Sequence, residues 1–433
     1  MPALSTQRES PASSSNSRIV ETRFPSLDTL KEICIEHPKM AKIFPSRPLP
    51  PTIAVPPDDA DPLSARTHPE SPHPYRGPYI RDIGRILHAK SFRRLAGKTQ
   101  VFTRGSAEND HSRSRLTHTL EVAQIARTAA ATLGLNAPLA EALSLVHDIG
   151  HPPFGHAGEK ALDHALRRHG LGFDHNLHAL RIVTSFEERY AAFPGLNLTL
   201  AVREGIVKHS RDYPAQTHPE LSEYLLDRFP PLEAQLIDLA DEIAYLAADF
   251  EDGLSAGILD LDHAQANVPL FADFYSAAAK AYPAAANHLL TNEALKQMLN
   301  ALVTDLMQTV AGQVTSQGIT TLEEIRRAPH RLAQLSVDME AQRKQAKAYL
   351  YENLYQSPAL DAEHQHAEEV IQTLFHAWTQ DPSLLPPDHQ LRATQESTPR
   401  AVSDYIAGMT DTYIEQAWRG YLSSSPPIIF PVA

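Results

Sequence analysis

The chain has 433 residues, 42% hydrophobic and 21% charged, with a formal net charge of -13 and a single cysteine, Cys34. That length can bury a sizeable core, and the acidic balance excludes a general nucleic-acid coat protein, which would be basic. One cysteine excludes an internal disulfide and a cysteine cage for zinc, and no apolar run reaches the ~18 residues that a membrane helix needs.

The opening stretch, MPALSTQRESPASSSNSR, lacks the apolar segment of a secretory signal, so a reducing, cytoplasmic setting is expected. Residues 1–75 read as a Pro/Ser-rich arm, extended or partly flexible, with one short helix within 21–44. Fifteen of the 34 prolines precede residue 80, and proline removes backbone donors and fixes φ. From Ile80 the pattern turns helical. RDIGRILHAKSFRRLAG places Ile83, Ile86, Leu87 and Phe92 near a 3.6-residue period. SRLTHTLEVAQIARTAAATLG reads as a second helix stopped by Gly134. Asn136 and Pro138 stand where a cap and an early proline open the next, APLAEALSLVHD. PPLEAQLIDLADEIAYLAADFEDG begins at prolines and is expected to close at Gly253. NEALKQMLNALVTDLMQTVAG, MEAQRKQAKAYLYENLY and AEEVIQTLFHAWTQ are amphipathic as well. Alternating β-branched runs are scarce, so the fold class is all-α. Residues 76–260 form the expected core and 261–433 an additional helical region.

Charge is uneven along this core. Residues 76–127 hold eleven Lys/Arg and four acids, a local balance of 11 − 4 = +7 inside an acidic chain. This reads either as a zone for an anionic ligand or as a solvated basic face.

The densest chemistry is VHDIGHPPFGHAGE at 146–159. His147-Asp148 ends an apolar helix, where a buried carboxylate is costly unless paired or bound to a cation. His118, in RLTHTLEV, and Asp241, in LIDLADEIAY, sit on two further apolar helices. Any one of these residues is more commonly a surface or satisfied core residue. Together they make a mixed N/O set of the kind that suits Mn²⁺, Fe²⁺, Co²⁺ or Zn²⁺ better than a pure oxygen site for Mg²⁺. His156 and Glu159 share a face if a helix begins near Gly155, and a carboxylate beside an imidazole tunes it for proton transfer.

RLTHTLEVAQIAR, LVHDIGHPPFGHAGE and LIDLADEIAY, in that order, resemble the HD-domain phosphohydrolases, and most of all their deoxyguanosinetriphosphate triphosphohydrolase branch. RDIGRILHAKSFRRLAGKTQVF, FDHNLHALRIV, GIVKHS and DYIAGMTDTY extend the resemblance. It implies an HD-domain core and a divalent metal (Mn²⁺, Mg²⁺, Fe²⁺, Co²⁺ or Zn²⁺) held by His118, His147, Asp148 and Asp241. It implies a reaction that splits a dNTP into deoxynucleoside and triphosphate at the α-phosphorus. His156 and Glu159 match the catalytic histidine and acid, His151 a residue near the α-phosphate, and His175 another active-site histidine. Arg115 and Lys208 match phosphate contacts. Gln100, Tyr245 and Asp249 match sugar-reading residues, with Asp249 accepting from the 3′-hydroxyl and Tyr245 crowding the place of a 2′-hydroxyl. The resemblance also implies homo-oligomers and dNTP activators. His178 stands where the family pattern has Gln, which puts base recognition in doubt. Two alternatives stand beside this reading. One is another HD-type hydrolase, for a nucleoside monophosphate or signalling nucleotide. The other is a nucleotide-sensing or single-stranded nucleic-acid-binding regulator that uses the basic stretch.

Overall fold

The computed structural model describes residues 48–100 and 113–424. The short helix expected within 21–44, and Arg104, Glu108 and Asp110 of the basic stretch, lie outside them. Helices supply the architecture, and the only β-type pairings among the described residues are three isolated bridges. The all-α class follows.

Three helices form the centre: α3 (Arg115–Leu133), α4 (Ala137–Val146) and α8 (Leu232–Ser255), which pack mutually. Their buried apolar faces carry Val122, Ile125 and Ala126, then Leu139, Leu143 and Val146, then Ile237, Ala240 and Ile243. Local chemistry sets their ends. Ser114 caps α3 in a capping box with Thr117, and Gly134 closes it in the left-handed region at φ 78°. The Asn136 side chain accepts from Leu139 N, with proline in the first turn of α4. α8 passes through Gly253 and ends at Ser255, contrary to the expected stop. Gly253 is there because Leu259 and Leu354 crowd it: a Cβ would lie 2.7 Å from Leu259 Cδ1 and 3.2 Å from Leu354 Cδ1. Tertiary packing, not termination, explains that glycine.

Around this centre lie α1 (Pro78–Leu87), α2 (Lys90–Arg94), α5 (Gly155–Arg167), α6 (His175–Arg181) and α7 (Leu200–Lys208). The later chain adds α9 (Leu261–Asn267), α10 (Pro269–Ala281), α11 (Asn287–Ser316), α12 (Leu322–Arg326) and α13 (Val337–Leu350). The last four are α14 (Pro358–Gln380), α15 (Pro387–Gln395), α16 (Thr398–Ala407) and α17 (Asp411–Ser424). α11 packs on α8 and α10, whereas α14 and α16 pack on α5. One apolar cluster joins Phe154, Leu162 and Leu166 to Val370, Leu374, Val402, Ile406 and Ile414. Residues 48–75 are extended apart from two short 3₁₀ turns, and the chain is anchored there. Ile53 and Val55 are fully buried, Leu49 N donates to Leu133 O at 2.9 Å, and Val55 N donates to Glu233 Oε1 at 2.9 Å.

Candidate active site

His147 and Asp148 follow directly from α4, and the rigid end of that helix aims both side chains at α3 and α8. The donor atoms of His118, His147 and Asp148 lie within 4.8 Å of one another. Asp241 Oδ1 completes the group, 2.6 Å from His118 Nε2 and 3.6 Å from His147 Nε2. His147 Nδ1 lies 2.6 Å from the Ser144 carbonyl, which leaves Nε2 as the free Lewis base. That Nε2 is buried without a hydrogen-bond partner, 3.6 Å from Asp148 Oδ1 and from Asp241 Oδ1. Burial opposes a charge on His147, yet Asp148 and Asp241 outweigh it and push its pKa up to about 9. A field so favourable to positive charge, with a free nitrogen facing two carboxylates, fits a divalent cation. Asp241 keeps 37% of its side chain open to solvent, so the group is reachable.

Asp148 is shared. Its Oδ2 accepts from Arg115 at 2.9 Å, while its Oδ1 lies 2.9 Å from His151 Nδ1. Burial alone would neutralise this carboxyl, but His151, His147 and Arg115 hold it well below the ordinary range. Arg115 is 2% exposed, and its Nε and Nη2 are buried without partners. His151 faces Asp148 through Nδ1 and keeps its Nε2 buried without a partner, and burial together with Arg115 and His175 keeps it neutral.

GHPPFGHAGE is a turn of unusual backbone followed by a helix. Phe154 at φ 63° and Gly155 at φ 57° are consecutive left-handed residues, and α5 begins at Gly155, as the His156/Glu159 pattern requires. Glu159, however, bonds mainly to His175: its Oε1 accepts from His175 N at 3.2 Å and lies 2.8 Å from His175 Nδ1. His156 stands 3.6 Å from Glu159 Oε2, beyond hydrogen-bond length, with 74% of its side chain exposed. The expected His156–Glu159 pair is therefore a triad, with Glu159 anchored by His175 and His156 at the open edge. Burial works against ionisation of Glu159, but the facing His156 and His175 outweigh it and hold it ionised. The His151 and His175 rings stack at 4.0 Å, which joins this group to the first.

The substrate residues divide. Gln100 reaches the turn: its carbonyl would lie 3.7 Å from a Cβ at Gly155, and its own Oε1 is buried without a partner. Asp249 is 1% exposed and accepts from the Tyr355 hydroxyl, while its Oδ1 has no partner. Burial pushes its carboxyl up to about 7, and burial likewise pushes the Tyr245 phenol above its ordinary range. Lys208, expected as a triphosphate contact, is bonded away from the metal candidates in this structure. Its ammonium donates to Glu204 Oε1 at 2.9 Å, Tyr224 O at 2.9 Å and Leu225 O at 3.0 Å, so all three protons are committed. The next residue of VKHS, His209, faces the metal candidates, with its ring 5.9 Å from that of His147. His209, Tyr355 and Asp411 were not singled out by the sequence, although each contacts a candidate site residue or its neighbour. Part of the basic stretch is ion-paired with carboxylates of the same chain. Arg85 bonds Glu70, Arg113 meets Glu121, Glu251 and Asp252, and Arg127 pairs with Glu141. No helix among the described residues is long and apolar enough to cross a membrane.

Comparison with known proteins accords with this geometry. Residues 115–246 match the HD domain, and 333–420 match the phosphohydrolase-associated domain. The chain is 44% identical over 349 residues to a deoxyguanosinetriphosphate triphosphohydrolase-like protein of Thiobacillus denitrificans, covering 80% of this chain and 91% of the relative. It is 43% identical to proteins of the same name from Bordetella pertussis (82% of this chain, 92% of the relative) and Deinococcus radiodurans (80% and 90%). The chain belongs to this family of HD-domain phosphohydrolases, whose domain binds a divalent metal.

Proposed function

We propose that this member of the deoxyguanosinetriphosphate triphosphohydrolase-like family hydrolyses a deoxynucleoside triphosphate to deoxynucleoside and inorganic triphosphate, with water attacking the α-phosphorus. One observation carries the reading: the N/O set of His118, His147, Asp148 and Asp241 shares Asp148 with Arg115 and His151, two buried groups holding unpartnered nitrogens. A cation place beside vacant donors is what a phosphate anion requires. The relatives' name supports the substrate class and the bond cleaved.

His118, His147, Asp148 and Asp241 would hold the divalent cation. When bound, Mn²⁺, Mg²⁺ or another such ion supplies Lewis-acid polarisation of a phosphoryl oxygen. Arg115 gives its free Nε and Nη2 protons to the same phosphate, while neutral His151, whose Nδ1–H faces the Asp148 carboxylate, holds that carboxylate in place beside it. His156, at the solvent edge, carries the proton that the departing 5′-oxygen needs, while Glu159 and His175 fix its surroundings. Gln100, Asp249 and Tyr245 read the sugar. A buried carboxyl with one vacant oxygen rejects a sugar lacking the matching hydroxyl, because the polar group would stay unpaired.

The test is phosphorus NMR of each dNTP incubated with the protein and Mn²⁺ or Mg²⁺ in ¹⁸O-labelled water. Triphosphate carrying ¹⁸O at one end is expected, and the four rates rank the bases. Pyrophosphate or monophosphate as product refutes the proposed bond cleavage. Sizing the protein with and without mixed dNTPs tests homo-oligomerisation and activation.

A further inference from the structure

The DYIAGMTDTY block lies more than one hundred and sixty residues beyond the last of the metal candidates, yet its second aspartate, Asp411, touches both active-site loops. Asp411 Oδ2 accepts from Thr99 N at 2.7 Å and from the Thr99 hydroxyl at 2.5 Å. Its other oxygen, Oδ1, accepts from Phe154 N at 3.0 Å. Thr99 immediately precedes Gln100. Phe154 immediately precedes Gly155 and His156, and holds a left-handed φ of 63° that a residue with a β-carbon rarely adopts. The same junction carries three further ties. Lys98 Nζ donates to His151 O at 2.5 Å and Ala407 O at 2.9 Å, and Arg94 Nη1 donates to Gly408 O at 2.7 Å. Packing is close: a Cβ on Gly97 would lie 2.9 Å from Thr410 Cγ2.

We propose that Asp411 is a positioning residue whose carboxylate staples the Thr99–Gln100 segment to the Phe154–His156 turn, setting the sugar-facing and proton-transfer groups in register. Each carboxylate oxygen serves one loop, and both loops offer N–H donors. Only a group with two acceptor oxygens can hold them together. An amide in its place keeps one loop and turns an NH₂ against the other. The assignment of Gln100 and His156 rests on the proposed function; the staple itself rests on the hydrogen bonds alone.

Asp411→Asn is the decisive variant, with Thr99→Val as a milder one that removes only the hydroxyl bond. Hydrogen exchange of the full-length protein, read by mass spectrometry, should quicken about tenfold in peptides covering 98–100 and 151–158, with α3 and α8 unchanged. kcat should fall about thirtyfold, with a smaller fall in Thr99→Val, while the affinity for Mn²⁺ stays within about twofold. In a His156→Ala background the same substitution should cost less than about threefold, because residues that act through one another are not additive. Unchanged exchange, exchange that rises equally in α3 and α8, or an equal loss of kcat with and without His156 overturns the proposal. If the unaltered protein releases no triphosphate, the proposed reaction fails and the exchange pattern decides the staple by itself.

Discussion

Asp249 offers a test in which the sign and size of the effect both come from the structure. Its carboxyl is 1% exposed, one oxygen accepts from Tyr355 and the other has no partner, and burial pushes its pKa from 3.8 to about 7. Between those values the folded protein retains a proton that the unfolded chain has lost. Stability therefore falls as pH rises through this window and levels off above it. At about 1.36 kcal/mol per unit, the ionisable carboxyl costs roughly 4 kcal/mol at pH 8 and roughly 1.6 kcal/mol at pH 5. Asp249→Asn removes this pH-dependent cost and keeps an acceptor for Tyr355. Any penalty from its buried NH₂ is the same at both pH values and cancels. Relative to the unaltered protein, the variant should gain about 2.5 kcal/mol between pH 5 and pH 8. With an unfolding entropy near 2.1 cal/mol/K per residue, that is roughly 3 °C in melting temperature for a chain of this length. Calorimetry in EDTA at the two pH values measures it without interference from metal binding. Melting temperatures that keep a constant offset across the range would refute a neutral Asp249.

Asp148→Ala should abolish phosphohydrolase activity and weaken Mn²⁺ binding while far-UV circular dichroism stays nearly unchanged; full activity in that variant would remove the metal assignment. Lys208→Met should destabilise the fold, towards the lower end of the ~3–5 kcal/mol for breaking a buried pair, because Arg326 still neutralises Glu204 at 2.9 and 2.7 Å. Its KM for dNTP should stay within about twofold, and a tenfold rise would restore Lys208 as a substrate contact. Gly150→Ala should be poorly tolerated, since a Cβ there would lie 2.0 Å from His175 O and 2.6 Å from Ala179 N, both backbone atoms that cannot rotate away. The expected loss exceeds the usual ~1–3 kcal/mol of overpacking, and an unchanged melting temperature would show that α6 shifts freely.

Helices were legible where their signals are local. Ser114 and Gly134 bound α3, and Asn136 with Pro138 opens α4, because capping depends on a few neighbouring residues. Gly253 misled because its reason lies on Leu259 and Leu354, one of them about a hundred residues away. The candidate metal residues stood out as ionisable groups on apolar helices, a combination with few structural excuses. The pairing of Lys208 was legible too, because Glu204, four residues earlier, marks it as an intrahelical ion pair. In the same motif, His209 passed unnoticed because a lone histidine carries no directional signal. Tyr355 was invisible for a similar reason. It lies in YENLY, directly after α13, and only the fold carries its hydroxyl to Asp249.

The C-terminal region was the least legible, and the cause is physical. A catalytic loop must offer its side chains to solvent and substrate, so few of its own atoms remain to hold it. GHPPFGHAGE handles this partly from within, through glycines in places that exclude a β-carbon: one on Gly158 would meet Pro153 O at 1.9 Å. The remaining support comes from outside, from Asp411 on Phe154 N and from Lys98 between His151 O and Ala407 O. These contacts end on backbone amides and carbonyls, which every residue possesses. No side-chain pattern in the loop announces them, and no pattern in α16 or α17 announces their target. The match to the phosphohydrolase-associated domain ends at residue 420 and includes Asp411. That region therefore forms part of the structure that holds the site in place, which is why α14 and α16 bury their apolar faces against α5 instead of forming a core of their own.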